Sequence, residues 1–152
     1  REERWRVTLD ACFDRVMRAC AMPRAGQDGT WITAQIAAAY GALHRAGAAH
    51  SVELWQGAAL AGGLYGVAIG RMFFGESMFA RVPDASKTAL WALVSLLRRH
   101  GFSVIDCQQN TRHLASLGAR EITRASFLQH VAALTRQPDP DWRAMSIELP
   151  DA

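Results

Sequence analysis

Three short stretches of this chain place polar groups where they can do chemistry. In IDCQ (residues 105–108), strand alternation sends Asp106 and Gln108 to one face and Ile105 with Cys107 to the other. A carboxylate and an amide on one face can act together on a ligand; the other reading of Asp106 is a strand-end carboxylate that caps a turn. Glu76 stands in FFGESMF among aromatic and Met side chains, where a carboxylate buried without a partner is costly. A positively charged amino group is one natural partner, and neighbouring backbone amides are the other. Trp31 follows Gly29 and Thr30 in a loop, where its ring can stack on a nucleic-acid base or fold back onto the core.

The remaining reactive residue types form no pattern. Three cysteines (Cys12, Cys20, Cys107) are odd in number and include no C-x-x-C pair, and the five histidines show no i, i+4 pairing. Neither a disulfide framework nor a metal site is expected, and a reducing cytoplasm fits. The formal net charge is +3, and the 17 basic residues are all arginines apart from Lys87. Arginine suits phosphate because its planar fork donates two parallel hydrogen bonds. The base composition of a genome that yields an Ala- and Arg-rich, Lys-poor sequence is the preferred explanation of the bias, so the charge permits an RNA partner without demanding one.

Positioning these groups falls to a chain of 152 residues, half of them apolar, which is enough for one core and too short for two ordinary domains. A single domain over residues 1–152 is expected, with a helical lead-in at 1–48 and a sheet-and-helix core at 49–152. Arg1 opens the chain and no apolar run follows it, so the start reads as a cut or processed end rather than a secretory signal. Ala58 to Gly70 is interrupted by glycines and is shorter than the roughly 18 residues of a membrane span, so a soluble protein is expected.

Helical spacing predicts a helix from about Val7 to Met22, stopped by Pro23, and a second from a Thr33 cap to Gly47 after the loop PRAGQDGTW. Period two takes over in HSVELWQ and continues through ALAGGLYGVAIG and MFFGESMF, three strands of a meander. A helix from Ala85 to His100 follows, with Asp84 or Ser86 as N-cap and Gly101 as terminator, then a strand in FSVIDCQ. Short helices are expected at His113–Leu117, closed by Gly118, and at Ser126–Thr135, before a turn in PDPDW. The fold class is therefore α/β or α+β, a central, mostly antiparallel sheet flanked by helices, with the strand after the long helix free to lie parallel to one before it. GNAT-type acyltransferases show this order.

Seven strings, GTWI (29–32), AHSVELW (49–55), GGLYGVAIG (62–70), FFGESMF (73–79), ASKTAL (85–90), IDCQ (105–108) and HLASLGAR (113–120), stand in an order and at intervals that resemble the leucyl/phenylalanyl-tRNA–protein transferases. The resemblance implies a GNAT-like catalytic domain that moves Leu or Phe from aminoacyl-tRNA to proteins beginning with Arg or Lys and so marks them for degradation. It also implies a small N-terminal domain ahead of the matching segment, which this chain lacks. No cofactor, metal or membrane is implied.

Residue by residue, the resemblance gives Gln108 a contact with the attacking α-amine, Asp106 the task of orienting or polarising Gln108, and Glu76 a part in holding an amino group. Gly75 lets the ester approach the backbone closely, and Trp31 stacks on the terminal adenine. Leu64, Phe73, Met78, Leu93, Leu97 and Ile105 match the pocket for the donor side chain. Leu93 and Leu97, four residues apart on one helical face, read by spacing alone as plain core. Ile105 lies opposite Asp106, so the two share a cavity only where the strand twists or bulges.

Two other activities share features of this chain. An acetyl-CoA-dependent N-acetyltransferase shares the element order, but it binds pyrophosphate with a Gly-rich strand-to-helix turn. The corresponding MFARVPDASKTAL has no glycine and puts Asp84 at the helix start. A catalytically silent RNA- or protein-binding fragment is the third reading.

Overall fold

A computed structural model of the chain describes residues 4–22 and 29–151. Its sheet has five strands in the order β1-β2-β3-β4-β5: β1 is Trp5–Leu9, β2 Ala49–Gln56, β3 Ala59–Ile69, β4 Met72–Ala80 and β5 Ile105–Asp106. Neighbours are antiparallel except β4 and β5, which are parallel. The helices are α1 (Phe13–Ala21), α2 (Ala34–Arg45), α3 (Ala85–Arg99), α4 (Arg112–Ser116) and α5 (Arg124–Leu134), and a 3-10 turn occupies Trp142–Ala144. The architecture is α+β with a mixed sheet. Tight turns join β2, β3 and β4, whereas the parallel β5 needs a crossover, which α3 supplies.

Helices cover both faces of the sheet, so β2 and β3 are buried along almost their whole lengths. On one face Val52, Leu54, Leu64 and Phe73 pack against Leu93 and Leu97 of α3 and against Phe102. On the other, Tyr65 packs with Phe13, Val16, Met17 and Cys20 of α1 and with Ile36, Ala37 and Tyr40 of α2. The α1 residues recur at i, i+3, i+4 and i+7, one helical stripe. Nine residues are too few for a helix to persist alone in water, so this buried stripe is what holds α1 in place.

The first element departs from expectation. Residues Trp5–Leu9 form an edge strand rather than the start of a helix, so the lead-in is not wholly helical. Trp5, Val7 and Leu9 pack on the α3 side, which leaves Arg6 and Thr8 on the opposite face by alternation. The helical pattern shared Val7 and Leu9 with this alternation, and long-range bonding decides between them. Glu53, fully buried on β2, accepts hydrogen bonds from the hydroxyls of Thr8 (2.7 Å) and Ser51 (2.6 Å) and from the amides of Ala11 and Cys12 (both 3.3 Å). Those amides precede α1, so the carboxylate bends the chain from strand into helix. Asp10, in the left-handed region at φ 56°, completes the turn. Pro23, the expected stop of α1, lies outside the described residues, as does the segment 24–28 of the following loop.

Elsewhere the elements fall close to where local signals put them. The Thr33 hydroxyl accepts from the Ile36 amide (3.2 Å) at the start of α2. Asp84 occupies the N-cap of α3 at φ 63° without bonding a helix amide through its side chain. In place of a strand through FSVIDCQ, only Ile105 and Asp106 pair with β4. Gly70, in the β3–β4 turn at φ 58°, cannot carry a side chain, because a Cβ there would stand 2.4 Å from the Leu134 carbonyl oxygen.

Burial pushes the Glu53 carboxyl above its ordinary value, against the pull of its four donors. Replacing it by Ala leaves those donors orphaned beside a cavity, so Glu53→Ala should lower unfolding stability by about 3 kcal/mol in urea titration. Glu53→Gln, which keeps the shape, should cost about 1 kcal/mol.

Candidate active site

A cleft of about 380 Å³ opens between α2 and the end of the sheet where β3, β4 and β5 meet. Tyr40 and Leu43 of α2 line one wall, Val67 and Ile69 of β3 the floor, and Phe74, Glu76, Asp106 and Gln108 the far side. The expected catalytic trio is thus collected in one place by two irregularities of the sheet.

The first irregularity is a β-bulge. Tyr65 pairs with Ser77 and Gly66 with Gly75, so Glu76 has no residue opposite it. The extra residue re-aims the strand and lets Phe74 and Glu76 face the cleft while Phe73 and Met78 face α3. Glu76 finds its partner in Tyr40. Burial first, and then the hydrogen bond and charge of Glu76, push the Tyr40 phenol up to about 12. The phenol therefore keeps its proton throughout the neutral range. Neither of the two partners anticipated for Glu76 from sequence was a tyrosine. Tyr40 reads there as one more apolar helix position.

The second irregularity ends β5. The Asp106 carboxylate accepts from the Gln108 backbone amide (2.8 Å), an Asx turn that stops the strand and holds Gln108 at φ 62°. The Gln108 side chain then donates through Nε2 to the Gly75 carbonyl (2.8 Å). Only the nitrogen of the amide can serve a carbonyl, so the orientation is fixed: Oε1 is left as the open acceptor, with no hydrogen-bond donor among the described residues. Asp106 caps a turn and orients Gln108 at once, through the backbone rather than through the amide. Downstream, Asn110 donates to Glu121 (3.0 Å) and Thr111 caps α4, tying down the loop that carries Gln108.

Trp31 is half exposed and meets Tyr40 edge to face, with ring centroids 6.4 Å apart. Tyr40 in turn meets Tyr65 at 5.4 Å. A line of aromatic rings therefore runs from the surface past Glu76 into the core. The Tyr65 hydroxyl at its inner end is buried and finds no hydrogen-bond partner among the described residues.

The six apolar residues also come together, but on the α3 face. Leu64, Phe73, Leu93 and Leu97 are buried in one cluster, with Met78 and Ile105 packed against it. Alternation separates Phe73 from Phe74 and Ile105 from Asp106, so the cluster and the cleft flank the same strands. Leu97 and Ile105 also line a second cavity of about 220 Å³ between α3 and α4. Gly75 lies between the two spaces. An added Cβ at Gly63 or Gly66 would collide with the backbone at 2.6 or 2.4 Å, whereas at Gly75 it would meet nothing closer than the Asp106 carbonyl oxygen at 3.5 Å. Internal packing does not require a glycine at 75.

The start of α3 offers no room for a pyrophosphate: Ala85 is fully buried, Ser86 nearly so, and Gly62 stands close enough that a Cβ on it would lie 2.7 Å from that of Ala85. Among the described residues no helix is long and apolar enough to cross a membrane.

The raised Tyr40 pKa fixes a sign for stability. An unfolded phenol loses its proton near 10 and the folded one near 12, so the folded chain holds the proton more tightly. The contribution of Tyr40 is complete below pH 10 and is lost as pH rises through 12. Denaturant titrations at stepped pH should show the wild type losing stability over this window more steeply than Tyr40→Phe, whose other titrating groups are shared.

The chain matches the family model described as leucyl/phenylalanyl-tRNA protein transferase over residues 1–132. A leucyl/phenylalanyl-tRNA–protein transferase of Paraburkholderia phytofirmans is 61% identical over 144 residues, 94% of this chain and 59% of that protein. Its counterpart in Cupriavidus taiwanensis is 64% identical over 139 residues, 91% of this chain and 56% of that protein. The one in Bordetella petrii is 60% identical over 141 residues, 93% and 56% of the respective chains. This chain spans less than two thirds of the length of these relatives. With the family model covering most of its residues, and at this identity, the chain belongs to the leucyl/phenylalanyl-tRNA–protein transferase family.

Proposed function

We propose that this chain is the catalytic domain of a cytoplasmic aminoacyltransferase, GNAT-like in fold, that moves Leu or Phe from aminoacyl-tRNA to the N-terminal Arg or Lys of acceptor proteins and so commits them to degradation. The observation that carries the reading is the convergence of Glu76, Asp106 and Gln108 on one cleft, held by a bulge, an Asx turn and the bond from Gln108 to the Gly75 carbonyl, in a chain of this family.

In this reaction a neutral α-amine attacks the carbonyl carbon of the aminoacyl ester. The C–N bond forms, the bond from carbon to the ribose oxygen breaks, and the proton lost by the amine ends on that ribose oxygen. The protein has to hold the amine at the ester and stabilise polar groups as they change. The open Oε1 of Gln108 accepts from an amine N–H, which orients its lone pair. Glu76 accepts from an amino group at the same centre, with Tyr40 fixing its position. Gly75, free of a side chain that packing would tolerate, leaves the ester room beside the backbone. Trp31 offers a ring face to the terminal adenine, a contact worth on the order of 1–3 kcal/mol. The donor side chain lies against the α3 cluster of Leu64, Phe73, Met78, Leu93, Leu97 and Ile105, at the end opened by the cavity beside Leu97 and Ile105.

The Asx turn gives Asp106 a geometric task that Asn can also perform, since its side-chain oxygen accepts from the same amide. Asp106→Asn should therefore keep the single-turnover rate of Phe transfer from tRNA to an Arg-initiated peptide within about threefold. Asp106→Ala, which lets Gln108 wander, and Gln108→Ala should each lower it by roughly 100-fold, and the Ala double variant should be little worse than the worse single one.

Filling the α3-side cavity tests the donor pocket. Ile105→Trp should raise the donor KM by at least about tenfold in the same assay, with a far smaller change in acceptor KM. Unchanged donor KM would place the pocket elsewhere.

A further inference from the structure

The arginines at the β1 edge have no part in the cleft, yet they are held in place. The guanidinium of Arg6, on β1, lies 5.3 Å from the centre of the Trp55 ring, and that of Arg15, on α1, lies 5.2 Å from the same ring. Trp55 is itself fixed: it is 9% exposed, pairs with Arg6 across β1 and β2, and donates through Nε1 to the Thr8 hydroxyl (2.9 Å). One anchored indole thus brings two exposed forks together on the surface. Arg4 falls on the same strand face as Arg6 by alternation, and Arg18 follows Arg15 by one turn, both exposed.

Like charges gathered this way repel, and the usual remedy is a carboxylate. None is supplied. Among the described residues no arginine stands within ion-pair distance of an Asp or Glu; the two such contacts found join Asp10 to His44 and His50. Glu53, the buried acid nearest in sequence to Trp55, already has four donors. Both side chains are exposed, so their N–H groups reach solvent while the negative face of the indole ring attracts the two cations.

Location selects the kind of anion. Arg6, Thr8 and Trp55 lie on the face of the sheet that carries α1 and α2, which is also the face of the cleft. Trp55 pairs with Leu60, whereas the Glu76 bulge lies beside Gly66, six residues further along β3 and on the order of 20 Å away. A ligand that engages both must be a long polyanion and not a small one. We infer that Arg6 and Arg15, gathered at the Trp55 ring, form a phosphodiester-binding plate for the double-stranded part of an RNA whose 3′ end enters the cleft. The inference rests on the aminoacyl-RNA donor proposed above.

Both arginines are exposed, so their variants should fold, which a thermal melt checks. The probe is a fluorescein-labelled RNA minihelix with a single-stranded CCA tail, its affinity read by anisotropy across a salt series. R6Q/R15Q should weaken binding about tenfold and reduce the slope of log K against log salt by about 2, the value for two lost phosphate contacts. R6K/R15K, which keeps both charges and loses the bidentate fork, should retain the slope and lose affinity a few-fold. Equal affinity and slope for wild type and R6Q/R15Q would overturn the inference, as would a loss of poly-glutamate binding in R6Q/R15Q with RNA binding intact, which would mark a protein-docking surface. Transfer from the phenylalanyl ester of adenosine, too short to reach the plate, should be the same for wild type and R6Q/R15Q. Failure of the wild type in that last assay tells against the proposed reaction and not against the plate.

Discussion

A single buried carboxylate determines how the beginning of this chain joins the rest. Glu53 has no exposure to water, and an acid so placed is tolerable only if every lone pair is served. Its donors come from β1, from the turn before α1 and from β2 itself, so satisfying it requires all three to be in register at once. The edge strand, the left-handed Asp10 and the start of α1 are consequences of that requirement. So is the stacking face of Trp55, two residues along β2, whose ring nitrogen is bonded by the same Thr8 that serves Glu53.

The sheet acts as a partition with one weak place. Along most of β3 and β4 the two faces are sealed by side chains from α3 on one side and from α1 and α2 on the other. Near the β5 end the seal is interrupted three times within a few residues: by the bulge at Glu76, by the missing side chain at Gly75 and by the stop of β5 at Asp106. Packing does not require the glycine at 75, and all three interruptions bear on the same small volume. Regular pairing would have carried the apolar face and the polar face past one another without communication. The irregularities let polar groups that hold an amine sit next to an apolar region able to take a side chain.

Much of this was legible along the chain, for reasons that differ by element. The meander from Ala49 to Ala80 and the helices α2 and α3 were readable because their signals are local: period two, a Thr33 cap, glycines at 47 and 101 with positive φ. Strand β1 was not, since Val7 and Leu9 satisfy both a helical and an alternating pattern, and the vote that separates them is cast from residue 53. The shortness of β5 was hidden in the same way, because IDCQ alternates perfectly as text while Asp106 bends it through its side chain. Tyr40 carried no mark beyond helical spacing; only the fold brings its hydroxyl to Glu76. The opposition of Ile105 to Asp106, by contrast, followed from alternation alone, and the structure keeps them on the two sides of β5.

Strand β1 also has a place in time. During synthesis it leaves the ribosome before β2, its one sheet partner among the described residues, since Trp5 pairs with Gln56. At roughly 5–20 residues per second, the fifty-odd residues between them correspond to several seconds in which β1 waits for β2. Loop closure over that distance is slow to be rewarded. Arg4 and Arg6, just before β1 and within it, keep this waiting segment solvated and repel another copy of itself, so the charges of the finished surface serve first as protection for a nascent edge.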